Sequence, residues 1–135
     1  MATGFSVGFY WYQIGMGGFL FSFFSTAAYR LENGKRGSIY PYIMNELYNG
    51  TLKNEHIDAA IVEFNEIKNR LSQLPPGDII WNIEDLNMRP PIINNEASNL
   101  AFSFITSDGD FLLDKLYSAL QKAKELNMDL HIESY

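Results

Sequence analysis

No acidic or basic side chain occurs before Arg30, and so long a charge-free opening must either enter a membrane or be buried inside a fold. A span needs about 20 predominantly apolar residues. Here Ser6, Tyr10, Tyr12, Gln13, Ser22, Ser25 and Thr26 interrupt the run, and Gly15, Gly17 and Gly18 split it. A secretory leader needs a basic start, and this opening has none. The opening therefore reads as the apolar heart of a cytoplasmic protein.

Its internal pattern says how it folds. Residues 5–14 (FSVGFYWYQI) alternate, with Phe5, Val7, Phe9 and Trp11 on one side and Ser6, Gly8, Tyr10 and Tyr12 on the other, which predicts one strand with one apolar face. The GMGG at 15–18 breaks the strand. From Phe19 the apolar residues Leu20, Phe23, Phe24, Ala27, Ala28 and Leu31 recur at helical spacing, so a helix is expected to about Leu31.

Further along, 32–38 (ENGKRGS) is a turn, and Pro41 opens a short helix that Asn49 and Gly50 end. The clearest element runs from about Asn54 to Gln73. There Ile57, Ala60, Ile61, Phe64, Ile67, Leu71 and Leu74 make one stripe, with Asp58, Asn65, Glu66, Asn69 and Arg70 outside it. The prolines at 75–76 stop that helix. Residues 79–83 and 100–106 read as strands, and 84–99 as an extended connection. Ser107-Asp108-Gly109-Asp110 reads as a helix start, followed by an apolar face of Leu112, Leu113, Leu116, Tyr117, Leu120 and Ala123. Asn127 suits a left-handed helix end, and residues 129–134 a last strand.

These elements give the order β-α-α-α-β-β-α-β. That order predicts an α+β fold, with a sheet of about four strands and helices packed mainly on one face. At 135 residues, without an internal linker, one domain is expected.

Composition narrows the chemistry. The chain holds no cysteine, which excludes disulfides, thiolate metal sites and a cysteine nucleophile. Its net charge of -6 repels nucleic-acid phosphates and anionic lipid alike and favours basic partners. Neither a nucleic-acid nor a membrane partner is expected.

Gly15, Gly17 and Gly18 lie between a strand and a helix, where a glycine-rich turn can cradle phosphate. They lack the third glycine of a dinucleotide fingerprint and the lysine of a phosphate-binding loop. A tight turn is the favoured reading, and a small ligand-binding regulatory domain built on that turn is the alternative.

Asp108, Asp110 and Asp114 sit where carboxylates are favoured at a helix start without any metal, and a calcium loop needs more oxygen ligands. His56 and His131 are the only histidines, and neither belongs to a triad. Glu84 and Asp85 adjoin in a loop, where a catalytic acid and base would need opposed environments. No catalytic residue, no metal ligand set and no cofactor is therefore expected. Acidic loop residues and the tyrosine-bearing strand face instead suit protein recognition. Glu84, Asp85, Asp108, Asp110, Tyr10 and Tyr12 are the candidate contacts.

Several segments in order, WYQIG at 11–15, FSFFST at 21–26, YPYIMNELYNG at 40–50, IIWNIEDL at 79–86, RPP at 89–91 and ITSDGD at 105–110, together resemble the immunity protein 70 family of bacterial polymorphic toxin systems. The resemblance covers nearly the whole chain and brings no catalytic motif with it. It implies a small cytoplasmic antidote that binds and blocks the toxin domain of a cognate toxin encoded by a neighbouring gene. A cationic nuclease is a toxin that an acidic inhibitor would suit.

Overall fold

The computed structural model describes residues 2–90 and 97–135. Four antiparallel strands form one sheet in the order β2-β1-β4-β3, namely β1 (Thr3–Val7), β2 (Tyr10–Gly15), β3 (Thr51–Leu52) and β4 (Leu130–Ser134). Three α-helices accompany it: α1 (Gly18–Leu31), α2 (Ile57–Leu71) and α3 (Leu112–Leu126). The expected α+β class with a four-stranded sheet holds, but the element order does not.

The first correction lies in the opening strand. Residues 5–14 are not one strand but a hairpin whose two-residue turn is Gly8-Phe9, with Val7 opposite Tyr10 and Phe5 opposite Tyr12. Gly8 takes φ 58°, and a glycine first in a two-residue hairpin turn matches the twist of the strands it joins. The turn inverts the expected faces of the second half. Tyr10, Tyr12 and Ile14 share the inner face with Phe5 and Val7, whereas Trp11 and Gln13 fall on the outer face with Gly4 and Ser6. Phe9 stands fully exposed at the tip.

Helix α1 is buried along most of its length. Leu20, Phe23, Phe24, Ala27, Ala28 and Leu31 are buried, as expected, but so are Ser22, Ser25 and Thr26. Every residue from Ser22 to Ala28 is buried, and a helical stretch enclosed on every side needs no charged face, which accounts for the absence of charge there. No helix among the described residues is long and apolar enough to cross a membrane.

The hydroxyls of α1 explain a second correction. Residues 79–83 form no strand, because Thr26 Oγ1 accepts the Ile80 N–H at 2.9 Å while Ser22 Oγ donates to the Ile80 carbonyl at 2.7 Å. The backbone groups that a sheet would have used are already satisfied. Residues 100–106 are likewise no strand. Asn99 Oδ1 accepts the Ala101 N–H at 3.0 Å and starts a 3-10 turn over Leu100–Phe102, and only Ile105 bridges to Phe111.

That bridge also displaces the expected helix start at 107–110. Those residues close a tight loop in which Thr106 N–H donates to the Asp110 carbonyl at 2.8 Å and Thr106 Oγ1 accepts the Asp110 N–H at 3.1 Å. Helix α3 begins only at Leu112, after Phe111 and without a side-chain cap. It ends at Asn127 in the left-handed conformation, φ 52° and ψ 47°, as expected.

The short helix after Pro41 is a π-helix, Tyr42–Leu47, whose first N–H groups reach across to α2: Glu63 Oε1 accepts from Tyr42 at 3.0 Å and Ile43 at 2.8 Å. Buried Glu32 does the same for the preceding loop, accepting from Gly37, Ile39 and Tyr40 at 2.9 to 3.0 Å. Strand β3, two residues long, was not expected at all. Helix α2 buries Ile57, Ala60, Phe64, Ile67 and Leu71 as its stripe requires, with Ile61 and Leu74 packed partly buried at the margin. The expected extended connection over 84–99 lies partly outside the described residues.

Candidate functional site

The two histidines are tied into the scaffold. His56 Nδ1 lies 2.9 Å from Glu46, its ring stacks on Tyr42 with centroids 4.7 Å apart, and Glu46 also accepts the Lys53 N–H at 2.8 Å. His131 Nδ1 meets Thr51 Oγ1 at 3.0 Å, joining β4 to β3. Among the described residues no group of three or more His, Asp or Glu side chains is placed to hold a metal ion.

The glycine turn is filled by the protein itself. A Cβ added at Gly15, whose φ is 107°, would lie 2.5 Å from Ser107 Cβ and Oγ, and one at Gly18 would lie 2.8 Å from the Trp81 ring. The glycines are thus needed for close approach of Ser107 and Trp81. Trp81 also packs edge-on against Phe19, with centroids 5.2 Å apart, and Ser107 N–H donates to the Ile14 carbonyl at 2.9 Å.

These contacts place the acidic candidates. Asp108 follows Ser107 directly, and Glu84 and Asp85 follow Trp81 by a few residues, so both acidic loops issue from the corner between β2 and α1. Glu84 and Asp85 are exposed in a loop of local turns: the Glu84 N–H donates to Asn82 Oδ1 at 2.8 Å, and Asp85 Oδ1 accepts the Asn87 N–H at 3.2 Å. Asp108 is exposed, and Asp110 pairs with Lys115 at 3.3 Å.

Tyr10 belongs to the other end of β2, five residues from Gly15 and so about 16 Å away along the strand. Its ring carries Lys122 Nζ at 4.6 Å from the centroid, and Lys122 pairs with Glu125 at 2.8 Å. That carboxylate, foremost, holds the Lys122 ammonium above its usual pKa. Tyr12 is partly buried against the core. The six candidates therefore form no single site.

A different cluster occupies the outer face of the sheet. Trp11 crosses Gly4, where an added Cβ would meet Tyr12 O at 2.5 Å and Trp11 Cζ2 at 2.7 Å. The indole then meets Tyr135 edge-on, with centroids 5.2 Å apart, and its Nε1–H donates to Gln13 Oε1 at 3.1 Å. Tyr135 OH donates to Glu133 Oε2 at 2.6 Å, and Glu133 faces Gly4 across the β1–β4 pair. The hydrogen bond between them, chiefly, holds the Glu133 carboxyl below its ordinary pKa and the Tyr135 hydroxyl above its own.

Around these side chains lie two adjoining open depressions, about 300 and 580 Å³, that share Ser6, Gly8, Glu133 and Tyr135. Sequence reading missed this cluster because the hairpin turn reverses Trp11. The alternation of His131, Glu133 and Tyr135 at the chain's end was the signal that could have located it.

A family model described as immunity protein 70 matches residues 5–132, nearly the whole chain. No curated protein and no solved structure matches.

Proposed function

The chain belongs to the immunity protein 70 family, and from that premise we propose that it acts in the cytoplasm as the antidote to a cognate polymorphic toxin, binding the toxin domain and blocking it. The observation that carries this reading is the family match from residue 5 to residue 132. No catalytic role is part of it: both histidines serve the scaffold, and the glycine turn is occupied by Ser107 and Trp81.

The toxin domain is a basic one, of which a nuclease is the leading case. A net charge of -6 steers the antidote toward a cationic surface and competes there with a polyanionic substrate. Glu84, Asp85, Asp108 and Asp110 are the proposed steering residues, being loop carboxylates at one corner of the fold. Exposed Tyr10 and partly buried Tyr12 are proposed as aromatic contacts.

The test is a pull-down with the toxin domain encoded by the adjacent gene, followed by co-expression in cells that the toxin domain kills. A one-to-one complex and restored growth are expected. Neither binding nor rescue would reject the antidote role.

A further inference from the structure

We propose that the outer face of the sheet is the toxin-docking face, and that its trough, walled by Trp11 and Tyr135 beside Glu133, receives an arginine side chain of the toxin domain. The proposal rests on the antidote reading and adds the surface and the chemistry of the contact.

The trough offers what a guanidinium requires. An arginine binds best where an aromatic face and a carboxylate are presented together, since its plane stacks on a ring while its fork of N–H donors meets two oxygens. Trp11 and Tyr135 supply the rings, fixed 5.2 Å apart. Glu133 supplies the carboxylate, already oriented by Tyr135 OH at 2.6 Å, and a carboxylate has lone pairs for further donors. The cluster stands on paired β-strands, so a partner need not order a loop before binding.

Charge points the same way. The residues lining the two depressions include the carboxylates Glu133 and Asp129 and no lysine or arginine. Lys122, against the ring of Tyr10, is held by Glu125 at 2.8 Å. Phe9, wholly exposed at the hairpin tip beside the trough, is an apolar anchor with no packing duty. A second copy of this chain is a poor occupant, because a twofold contact would set one anionic trough against another.

The acidic corner is set apart from this trough. Tyr135 pairs with Ala2 through N–H to carbonyl bonds of 2.8 Å in both directions, and Thr3 pairs with Gly15. The Tyr135 backbone thus lies at the Gly15 end of the sheet, whereas the trough itself opens toward Gly8 and Phe9 at the hairpin end.

The experiment measures binding of the purified adjacent toxin domain by calorimetry. Glu133→Gln is expected to weaken binding about tenfold and Trp11→Ala about thirtyfold or more, the loss typical of a central interface anchor. Glu133→Gln keeps the shape of a surface side chain and so separates lost recognition from lost folding. In the reciprocal arm each toxin arginine is changed to lysine. One such change should reproduce the loss and add little when combined with Glu133→Gln, the signature of a direct pair.

Wild-type binding that is unaltered within about twofold by both Glu133→Gln and Trp11→Ala overturns the docking face while leaving the antidote reading intact. A free wild-type dimer that Trp11→Ala dissociates also overturns it, since the face would then be self-complementary. If wild-type protein fails to bind, the antidote reading falls and the docking face with it.

Discussion

Thr26 holds Ile80 through both of that residue's backbone groups: its hydroxyl accepts the Ile80 N–H at 2.9 Å and donates to the Ile80 carbonyl at 3.1 Å. A helix side chain here stands in for a neighbouring strand. Thr26→Val keeps the shape and leaves a buried N–H without a partner, so it should cost about 1–3 kcal/mol. Ser22 still serves the carbonyl, at 2.7 Å. Urea unfolding checks this, and a change below about 0.5 kcal/mol would mean that the segment at Ile80 is not anchored by this bond.

Phe64 is the centre of the α2 stripe. It is 1% exposed and stacks toward Tyr117 with ring centroids 5.9 Å apart. Phe64→Ala should cost about 3–5 kcal/mol by chemical denaturation. A much smaller loss would require the core to collapse around the missing ring.

Glu63 gives the fold a pH dependence of definite sign. Burial, its largest influence, raises its carboxyl pKa above the ordinary glutamate value, against the lowering effect of the Ile43 and Tyr42 N–H groups. A carboxyl with a raised folded pKa binds its proton more tightly in the folded state. Its contribution is therefore full below the unfolded pKa and is lost as pH rises through the folded one. Glu63→Gln keeps an acceptor for both N–H groups and removes the titration. The variant should gain stability relative to wild type between pH 4 and pH 7, read from unfolding midpoints at the two pH values. A difference that stays constant, or moves the other way, counts against a carboxylate strained by burial.

The exposed pair Glu84 and Asp85 should act on association. Replacing both with lysine is expected to slow the on-rate for a basic toxin domain at low salt and to flatten its salt dependence, with little change in melting temperature, because loop charges steer at long range. Stopped-flow mixing at two ionic strengths checks this. An unchanged on-rate removes these two residues from the recognition surface and leaves the others standing.

What could be read from the sequence follows from which interactions are local. The α2 stripe and the Asn127 helix end depend on spacing within one element, and both stand where expected. The segments at 79–83 and 100–106 carry strand-like composition. Their fate was decided by Thr26 and Ser22, more than fifty positions away, and by the Asn99 cap. The turn at Gly8-Phe9 lacks the Asn-Gly type of signal that marks many hairpins, and it interrupts an alternation that reads continuously through it. Missing it reversed the predicted faces of Tyr10 and Trp11. Glu84 and Asp85 stand exposed in a loop, as their composition suggested, whereas the outer-face cluster depends on strand pairing that only the folded sheet reveals.

Strand β4 is the last element in sequence, yet it lies inside the sheet, between β1 and β3. The Thr3 and Ser134 hydroxyls that meet at 2.8 Å are 131 positions apart, so the seam between β1 and β4 is a very long-range closure. During synthesis the β1–β2 hairpin can form early, but its inner edge must wait for residues 130–134, and contacts of such separation are slow to form. Until that closure, the hairpin's open edge and the apolar faces awaiting it are available to other chains. Trp11 and Tyr135 come from opposite ends of this delay, so the aromatic pair on the outer face can arise only when the sheet is complete.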